Sequence, residues 1–295
     1  MKKSIILTVL LAMLAGAASG FIFNERKLTP MSVQFSANDM RERGLAIISP
    51  GDNSYDEMLN TLRENMMGSP VEAIRPYSVF IKNTGKRSVV AFVLKWELVR
   101  PDGRIITRTD QYVTKYSLMG DEDSDSEGHV IKANTPWLAF PGFAGALDTL
   151  TANKGASNLV PYFDRVGDNL AQYSKINVSL DGVFFEDGAF AGPDTTGFYG
   201  KVDALVRANQ DLRDELEKGK KAGKSTDDIF KRVTEEAGKS QVRPGRNSTP
   251  DDHYNYFKSL AAKELIEMRD VSGNEKALEH ALRPSKKPRP LLRRE

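Results

Sequence analysis

The chain of 295 residues contains no cysteine and only three histidines, His129, His253 and His280. The lack of cysteine excludes disulfides, thiol nucleophiles, cysteine zinc sites and a lipid anchor attached through a cysteine. The histidines show no ligand spacing, and neither the hydrolase motif G-x-S-x-G nor the zinc motif H-E-x-x-H occurs. The sequence therefore predicts no catalytic residue and no tightly bound cofactor, and we expect a protein that is not an enzyme.

Neither sign of charge predominates, since 42 basic residues face 40 acidic ones and the formal net charge is +2. With 40% hydrophobic and 28% charged residues, the composition is that of a globular protein. Wholesale disorder and a polytopic membrane protein are both disfavoured. The chain is long enough to bury a sizeable core in one or two domains.

The first residues have the pattern of an export signal. Lys2 and Lys3 precede an apolar run and the small residues Ala15, Ala17 and Gly20, as in a secretory signal peptide. However, residues 4–24 form 21 positions without charge, which is long enough to cross a bilayer as a helix. Residues 1–20 are thus predicted to be a bacterial signal peptide or an uncleaved membrane anchor, and the body is predicted to be extracytoplasmic, either periplasmic or secreted.

Residues 69–194 alternate between apolar and polar positions, which indicates half-buried strands. The run from Val90 to Leu98 is followed by Pro101-Asp102-Gly103, a hairpin turn, and by a return strand from Ile105 to Val113. Short turns with no helix between consecutive strands favour an antiparallel β-sandwich. Residues 134–175 are poorly periodic and interrupt the pattern, so we expect them to form an irregular insert.

The stretch from Tyr77 to Val113 resembles immunoglobulin-like or fibronectin-type modules of bacterial extracytoplasmic proteins. It combines a strand, an Asn-Thr-Gly-Lys turn, a strand that carries Trp96, and the Pro-Asp-Gly hairpin. The resemblance implies that Trp96 fills the core between two sheets and that the protein binds or spaces rather than catalyses. The resemblance covers about a third of the chain and departs from antibody domains in lacking both cysteines.

Other segments flank the predicted sandwich. Residues 21–68 are expected to hold one strand, at the apolar run Leu45-Ala46-Ile47-Ile48, and one helix after Ser54. Residues 195–282 show helical periodicity, with Thr249 as the predicted cap of one helix and Pro250 at its first position. Prolines in residues 283–295 prevent regular structure, so a disordered basic tail is predicted. The predicted fold is therefore mainly β plus α.

An acidic stretch offers a candidate metal site, because Asp121, Asp123 and Asp125 have the spacing of a calcium loop. An EF-hand is excluded, since Ser126 replaces the required glycine and Lys132 the required glutamate. A solvated acidic loop and weak calcium binding both remain open. The second alternative corresponds to a calcium-stiffened spacer domain.

Two further groups of residues are candidates for function. Glu186 and Asp187, near Asp181 and Asp194, suggest an envelope hydrolase with its site in the loops of residues 134–194, although Asp-Gly is also ordinary hairpin chemistry. A second group offers either a glycan- or peptide-binding patch or a set of core contacts. It consists of Tyr254, Tyr256, Arg243 and Arg246.

The predicted tail holds six basic residues against one acid, Glu295. The basic residues are Arg283, Lys286, Lys287, Arg289, Arg293 and Arg294. Such a cluster is attracted to anionic surfaces by about 1 kcal/mol per charge. We therefore expect a non-enzymatic binding or structural module of the cell envelope, whose partner is an envelope protein or an anionic surface polymer. Nucleic acid is not expected, and the membrane contact would run through residues 4–24.

Overall fold

The computed structural model describes residues 33–65, 71–113, 118, 131–142, 159–240, 242–245, 248–284 and 290–295. The described strands are β1 (Gln34–Asn38), β2 (Leu45–Ile48), β3 (Val79–Asn83), β4 (Val89–Val99), β5 (Ile105–Val113), β6 (Pro136–Ala139), β7 (Lys175–Phe185), β8 (Ala189–Ala191) and β9 (Arg293–Arg294). The described α-helices are α1 (Tyr55–Asn65), α2 (Leu159–Leu170), α3 (Phe198–Lys221), α4 (Thr226–Lys239), α5 (Pro250–Ser272) and α6 (Asn274–Leu282). The fold is therefore mixed α and β.

The strands form two sheets, one of six strands and one of three. The large sheet has the order β5-β4-β7-β8-β9, with β1 paired to β7 as well, and the small sheet has the order β2-β3-β6. The pairs β1–β7 and β8–β9 are parallel, whereas the other pairs are antiparallel. The described strands within residues 69–194 pair with one another in antiparallel fashion, as predicted. Strands β1 and β9, which lie outside that range, add the two parallel pairs. Each joins strands that lie far apart in the sequence, so no short turn sets their direction, and side-chain alternation is the same in either direction.

The hairpin predicted at Pro101-Asp102-Gly103 is confirmed. It joins β4 to β5 in antiparallel register, with Val99 opposite Ile105. Gly103 has a φ of 82° and donates its N–H to the carbonyl of Arg100 at 2.9 Å. Glycine is needed here because other residues rarely adopt positive φ.

The turn after β3 has a different role, because the strands on its two sides belong to different sheets. The Asn83 side chain, which is fully buried, donates to the carbonyl oxygens of Arg87 at 2.8 Å and Ile131 at 3.0 Å. The Ile131 carbonyl also accepts the Val89 N–H at 3.0 Å, so the Asn83 side chain links the end of β3 to the backbone at the start of β4. The chain thus passes from the small sheet to the large one at this turn.

The two sheets share one hydrophobic core. Trp96 on β4 is fully buried there, together with apolar residues of β7 and of the small sheet such as Val178, Val79 and Ile81. Burial of each such side chain contributes about 1.5–3 kcal/mol. Trp96 therefore occupies the position between two sheets that the sequence predicted for it.

Helices cover the outer faces of the two sheets. Tyr55 of α1 and Phe163 of α2 pack with Phe80 on the small sheet, while Phe198 at the start of α3 packs with Phe184 on the large one. Both α2 and β6 lie within residues 134–175, which were predicted to be irregular. The described part of this insert therefore contains regular elements that its weak periodicity did not reveal.

The C-terminal helices form a bundle of their own, as the helical periodicity predicted. Helix α5 packs against both α3 and α4, and the bundle core includes Leu216, Phe230 and Leu265. Helix α5 begins as predicted, with Pro250 in its first turn and a capping box in which Thr249 and Asp252 bond to each other's backbone N–H. No helix among the described residues is long and apolar enough to span a membrane. The predicted signal or anchor lies outside the described residues.

Residues 290–295 differ from the predicted disordered tail. Arg293 and Arg294 form β9, which runs parallel to β8 at the edge of the large sheet. The physical reason is charge pairing, since both arginines and Glu295 meet opposite charges there. The prolines indicated disorder, but the partners that hold this segment in place lie far from it in the sequence.

Candidate functional site

A groove of about 630 Å³ lies between strand β5 and the helical bundle. Its floor comes from β5, and its walls come from the first half of α3, the connection between α4 and α5, and the first half of α5. The lining residues that carry the chemistry are Thr107, Thr109, Lys201, Arg243, His253 and Tyr256. Four separate segments of the chain therefore contribute to one concave surface.

The alternation along β5 explains the polar floor of the groove. Tyr112 lies opposite Phe92 and belongs to the core between the sheets. Thr107 and Thr109, an odd number of positions away, therefore lie on the opposite face of the sheet, where both are exposed. Asp110 also borders the groove, but its carboxylate accepts the Gly142 N–H at 2.8 Å. The floor thus presents hydroxyl groups.

Three basic side chains converge on the groove. Lys201 comes from α3, Arg243 from the connection before α5, and His253 from the first turn of α5. Within the described part of the chain, none of the three forms an ion pair or a side-chain hydrogen bond. The groove is therefore electropositive, and its cations are available to a ligand.

The pKa shifts in the groove reflect burial first and neighbouring charges second. Burial lowers the pKa of Lys201, Asp194 opposes this effect, and Arg243 adds a smaller lowering. Burial likewise lowers the pKa of His253, with Lys201 adding to the effect and Asp252 opposing it. In each case a neighbouring cation disfavours the protonated form. An anion in the groove would relieve that repulsion.

One wall of the groove is aromatic. The rings of Tyr256 and Phe257 lie 5.6 Å apart in an edge-to-face arrangement, and the Phe257 ring stacks on His253 at 6.2 Å. Both aromatic side chains are half-buried. They offer flat faces beside the three basic groups, so the groove can contact both an anionic group and a less polar ring.

The patch suggested by the sequence divides between two places. Tyr256 and Arg243 line the groove together, whereas Tyr254 packs at the α3–α5 interface, where its hydroxyl donates to the Asp211 carboxylate at 2.7 Å. Arg246 lies outside the described residues. Lys201 was missed because nothing in the sequence links α3 to α5, and His253 was not identified because the three histidines show no ligand spacing.

The carboxylates considered for hydrolysis have partners within the protein. Asp187 pairs with Arg293 at 2.8 Å, and Glu186 accepts the Ser88 N–H at 3.2 Å. Burial opposes ionisation of Asp187, but the Ala189 N–H and Arg293 outweigh burial and lower its pKa. Both carboxylates therefore have a structural role, and a hydrolase site in the loops of residues 134–194 stays a prediction.

Asp181 is also committed to the fold. Its carboxylate is 2% exposed and accepts hydrogen bonds from the backbone and hydroxyl groups of both Thr195 and Thr196, at 2.6–3.0 Å. Burial alone would raise its pKa, but these four bonds lower it. Asp181 thus fixes the chain that leads into α3. The residue itself lies inside β7.

Asp121, Asp123 and Asp125 lie outside the described residues, so calcium binding there stays a prediction. Within the described ranges, no cluster of three or more histidine or carboxylate side chains could hold a metal ion.

The predicted basic surface is divided in the same way. Arg283 is exposed just after α6, and Arg293 and Arg294 are paired in β9. Lys286, Lys287 and Arg289 lie outside the described residues. Surface binding by the full set therefore stays a prediction.

Comparisons of the chain with protein-family models, with curated proteins and with solved structures give no match. The geometry of the groove is therefore the basis for a functional proposal.

Proposed function

We propose that this protein is a non-enzymatic binding module whose groove holds an anionic polymer of the cell envelope. The proposal rests on one observation, the convergence of Lys201, Arg243 and His253 on a concave surface without acidic partners among the described residues. Burial lowers the pKa values of Lys201 and His253, and a neighbouring cation adds to the effect in each case, so an anion in the groove would favour their protonated forms. Anion binding is the use that this arrangement supports best.

The shape and lining of the groove favour a polymer that carries both rings and charges. Hydroxyls of Thr107 and Thr109 can donate to phosphate or carboxylate oxygens, while Tyr256 and Phe257 can pack against a sugar ring. Each hydrogen bond between a basic side chain and an anionic group contributes about 1.5–3 kcal/mol. Three such contacts give about 5–9 kcal/mol before the entropic cost of association, so micromolar binding, at about 8 kcal/mol, also needs the packing of rings against the aromatic wall.

Export and an immunoglobulin-like origin belong to the same proposal. The basic, apolar and small residues of positions 1–20 support an extracytoplasmic location, with either cleavage or retention as an anchor. Two facing sheets with Trp96 buried between them support a relative of the immunoglobulin-like sandwich, modified by the parallel pairs β1–β7 and β8–β9. Modules of this kind mostly bind rather than catalyse.

The test is a binding titration with two chemically defined polymers, polyphosphate and polygalacturonate. We expect the protein to bind at least one of them with an affinity that falls as salt rises. The variant Lys201→Ala/Arg243→Ala should bind at least ten times more weakly. The control variant Lys218→Ala/Lys220→Ala removes two exposed lysines from the far end of the same helix and should bind as the parent protein does.

Equal loss in the two double variants would contradict the proposal, because binding would then depend on net charge alone and not on the groove. Failure of the parent protein to bind either polymer at low salt would contradict it as well. Circular dichroism melting curves of all proteins confirm that each variant is folded.

A further inference from the structure

The 290–295 segment is bound to the large sheet in the manner of a peptide ligand. The N–H of Arg293 donates to the carbonyl of Gly188, and the N–H of Glu295 donates to the carbonyl of Phe190, each at 3.0 Å. These alternate N–H groups continue the sheet in a parallel direction beside β8. Proteins that recognise extended peptides by strand addition use the same arrangement of backbone bonds.

Side chains are recognised on both sides of this added strand. The guanidinium of Arg293 donates to the Asp187 carboxylate at 2.8 Å and to its backbone carbonyl at 2.7 Å. Arg294 donates to the Asp194 carboxylate at 2.6 Å, and its guanidinium lies 4.4 Å from the centre of the Tyr199 ring. The site therefore selects two successive arginines.

Glu295, which follows the two arginines, is acidic and meets two cations. Glu295 accepts hydrogen bonds from Arg87 at 2.7 and 3.2 Å and from Arg43 at 2.8 Å. Arg87 in turn lies over the Phe185 ring, with its guanidinium 3.9 Å from the ring centre. The order of charges in the site is thus complementary to Arg-Arg-Glu and to no other order of these three residues.

Gly188 leaves the space that the segment occupies. A Cβ atom at this position would lie 2.5 Å from the Leu291 carbonyl oxygen, which is shorter than any real contact of that kind. The positive φ of Gly188, 81°, also serves the turn between β7 and β8. The close approach of backbone to backbone is the second reason for glycine here.

Apolar burial holds this segment only weakly. Leu291 is 81% exposed, while Leu292 packs partly against the cluster that contains Phe184 and Phe190. Most of the contacts are exposed ion pairs, each of which contributes about 0.2–1 kcal/mol. Release of the segment therefore exposes little apolar surface, whereas strands β4 and β7 carry buried core residues.

We propose that the edge of β8, together with Asp187, Asp194, Arg87 and Arg43, is a peptide-docking site that accepts the 290–295 segment of a second copy of this chain. A second copy supplies the identical residues and can therefore form every contact described above. The contact would be heterologous, because the donor segment and the acceptor edge are different surfaces, so it would build rings or open chains of copies.

The chain's own segment competes for the same site. A tethered ligand has an effective concentration in the millimolar range, so docking within one copy prevails in dilute solution. Docking between copies can therefore be observed only when neither copy can dock its own 290–295 segment in its own site.

One variant serves as the acceptor and another as the donor. The acceptor lacks residues 290–295, and the donor is the full chain with Asp187→Lys/Asp194→Asn. The amide oxygen of Asn can still accept the Tyr199 N–H, which Asp194 accepts at 3.0 Å. Each is expected to be monomeric alone, and their mixture should contain a one-to-one complex by size exclusion with light scattering. If the deletion impairs folding, Arg293→Glu/Arg294→Glu in the full chain replaces it as the acceptor.

A second measurement uses the labelled peptide Pro-Leu-Leu-Arg-Arg-Glu. It should bind the acceptor at least ten times more tightly than the charge-swapped peptide Pro-Leu-Leu-Glu-Glu-Arg does, and Asp194→Asn in the acceptor should weaken it. A mixture without complex, together with absence of peptide binding by a folded acceptor, overturns the proposal. Binding of both peptides with equal affinity overturns it too, because the segment would then be held without recognition of its charges.

Discussion

Two regions of this protein are rich in basic side chains, and they use them in opposite ways. In the 290–295 segment, Arg293 and Arg294 each meet a carboxylate, and Glu295 meets two arginines. In the groove, Lys201 and Arg243 face each other without a carboxylate partner in the described part of the chain. The charges of the 290–295 segment are therefore paired within the protein, whereas the charges of the groove are available to a ligand.

The comparison shows that basic residues alone do not identify a binding surface. The sequence pointed to Arg293 and Arg294 as surface-binding residues because they cluster in the chain, yet the fold pairs both of them. Lys201 and Arg243 are far apart in the sequence, and the fold brings them together. Ion pairing in the folded state therefore distinguishes basic residues that stabilise the fold from basic residues that are available to a ligand.

Charge reversal in each region should have the largest effect, and the effects should be of different kinds. Lys201→Glu/Arg243→Glu should weaken binding of polyphosphate about 100-fold, or about 2.7 kcal/mol, with little change in stability. Arg293→Glu/Arg294→Glu should instead reduce stability by about 1–2 kcal/mol, since two ion pairs become repulsive contacts. Its polymer affinity should change less than threefold. Urea denaturation and binding titrations of both variants provide the measurement.

If both variants lose stability equally while neither loses affinity, the groove cations stabilise the fold, and the proposed difference between the two regions is contradicted.

A glycine substitution should test the close approach at the edge of β8. Gly188→Ala introduces strain at positive φ and also a clash with the Leu291 carbonyl, so we expect a loss of about 2–3 kcal/mol. The matched control is Gly103→Ala, which has nearly the same φ but open space around the new Cβ, and should lose about 1 kcal/mol. Urea midpoints of the two variants give the difference. Equal losses would mean that the 290–295 segment contributes nothing measurable at Gly188.

Acidification should affect groove binding and free-protein stability in opposite directions. Because the pKa of folded His253 is below its unfolded value, protonation favours the unfolded chain, and stability falls as pH drops through about 6.5. An anion stabilises protonated His253 between Lys201, Arg243 and Asp252, so affinity should rise about three- to tenfold from about pH 7.5 to about pH 5.5. Titrations at both pH values test this. In His253→Gln both trends should flatten, and an unchanged pH dependence would remove His253 from the site.

The smallest effect is expected at Glu295. Hydrogen bonding by Arg87 lowers its pKa, so its contribution to stability is present above the unfolded value of 4.5 and is lost as pH falls through the lower folded value. Glu295→Gln should therefore reduce stability by about 0.5 kcal/mol near pH 7, and the difference from the parent protein should vanish in acid, once the folded carboxylate is protonated. Thermal melting under both conditions is the measurement. A difference that persists in acid would assign the effect to packing rather than charge.

Local features of this fold could be predicted from the sequence because they depend on neighbouring residues. The Pro101-Asp102-Gly103 hairpin, the cap at Thr249 and the burial of Trp96 each follow from turn chemistry, capping or alternation over a few positions. The helical periodicity after Pro193 likewise predicted the bundle. Each of these signals is contained within one or two consecutive elements.

The remaining features depend on contacts between distant segments, which no local pattern encodes. The carboxylates of Asp187 and Asp194 make Arg293 and Arg294 part of a sheet, and only the folded chain brings them together. The same holds for the groove, where Lys201 and His253 come from helices separated by the whole of α4. Tyr256 and Arg243 were identified as candidates because they lie within one short stretch.

The parallel pairing of β1 with β7 has a consequence for how the chain folds. Gln34 pairs with Lys175, so this contact closes a loop that contains strands β2 to β6. Closing so long a loop costs entropy before any contact compensates for it, and chains with many such distant contacts fold slowly. We expect refolding from urea in milliseconds to seconds, with protection of the β1 amides from hydrogen exchange acquired later than that of the β4–β5 hairpin. The first of the described strands would then be among the last to reach its place.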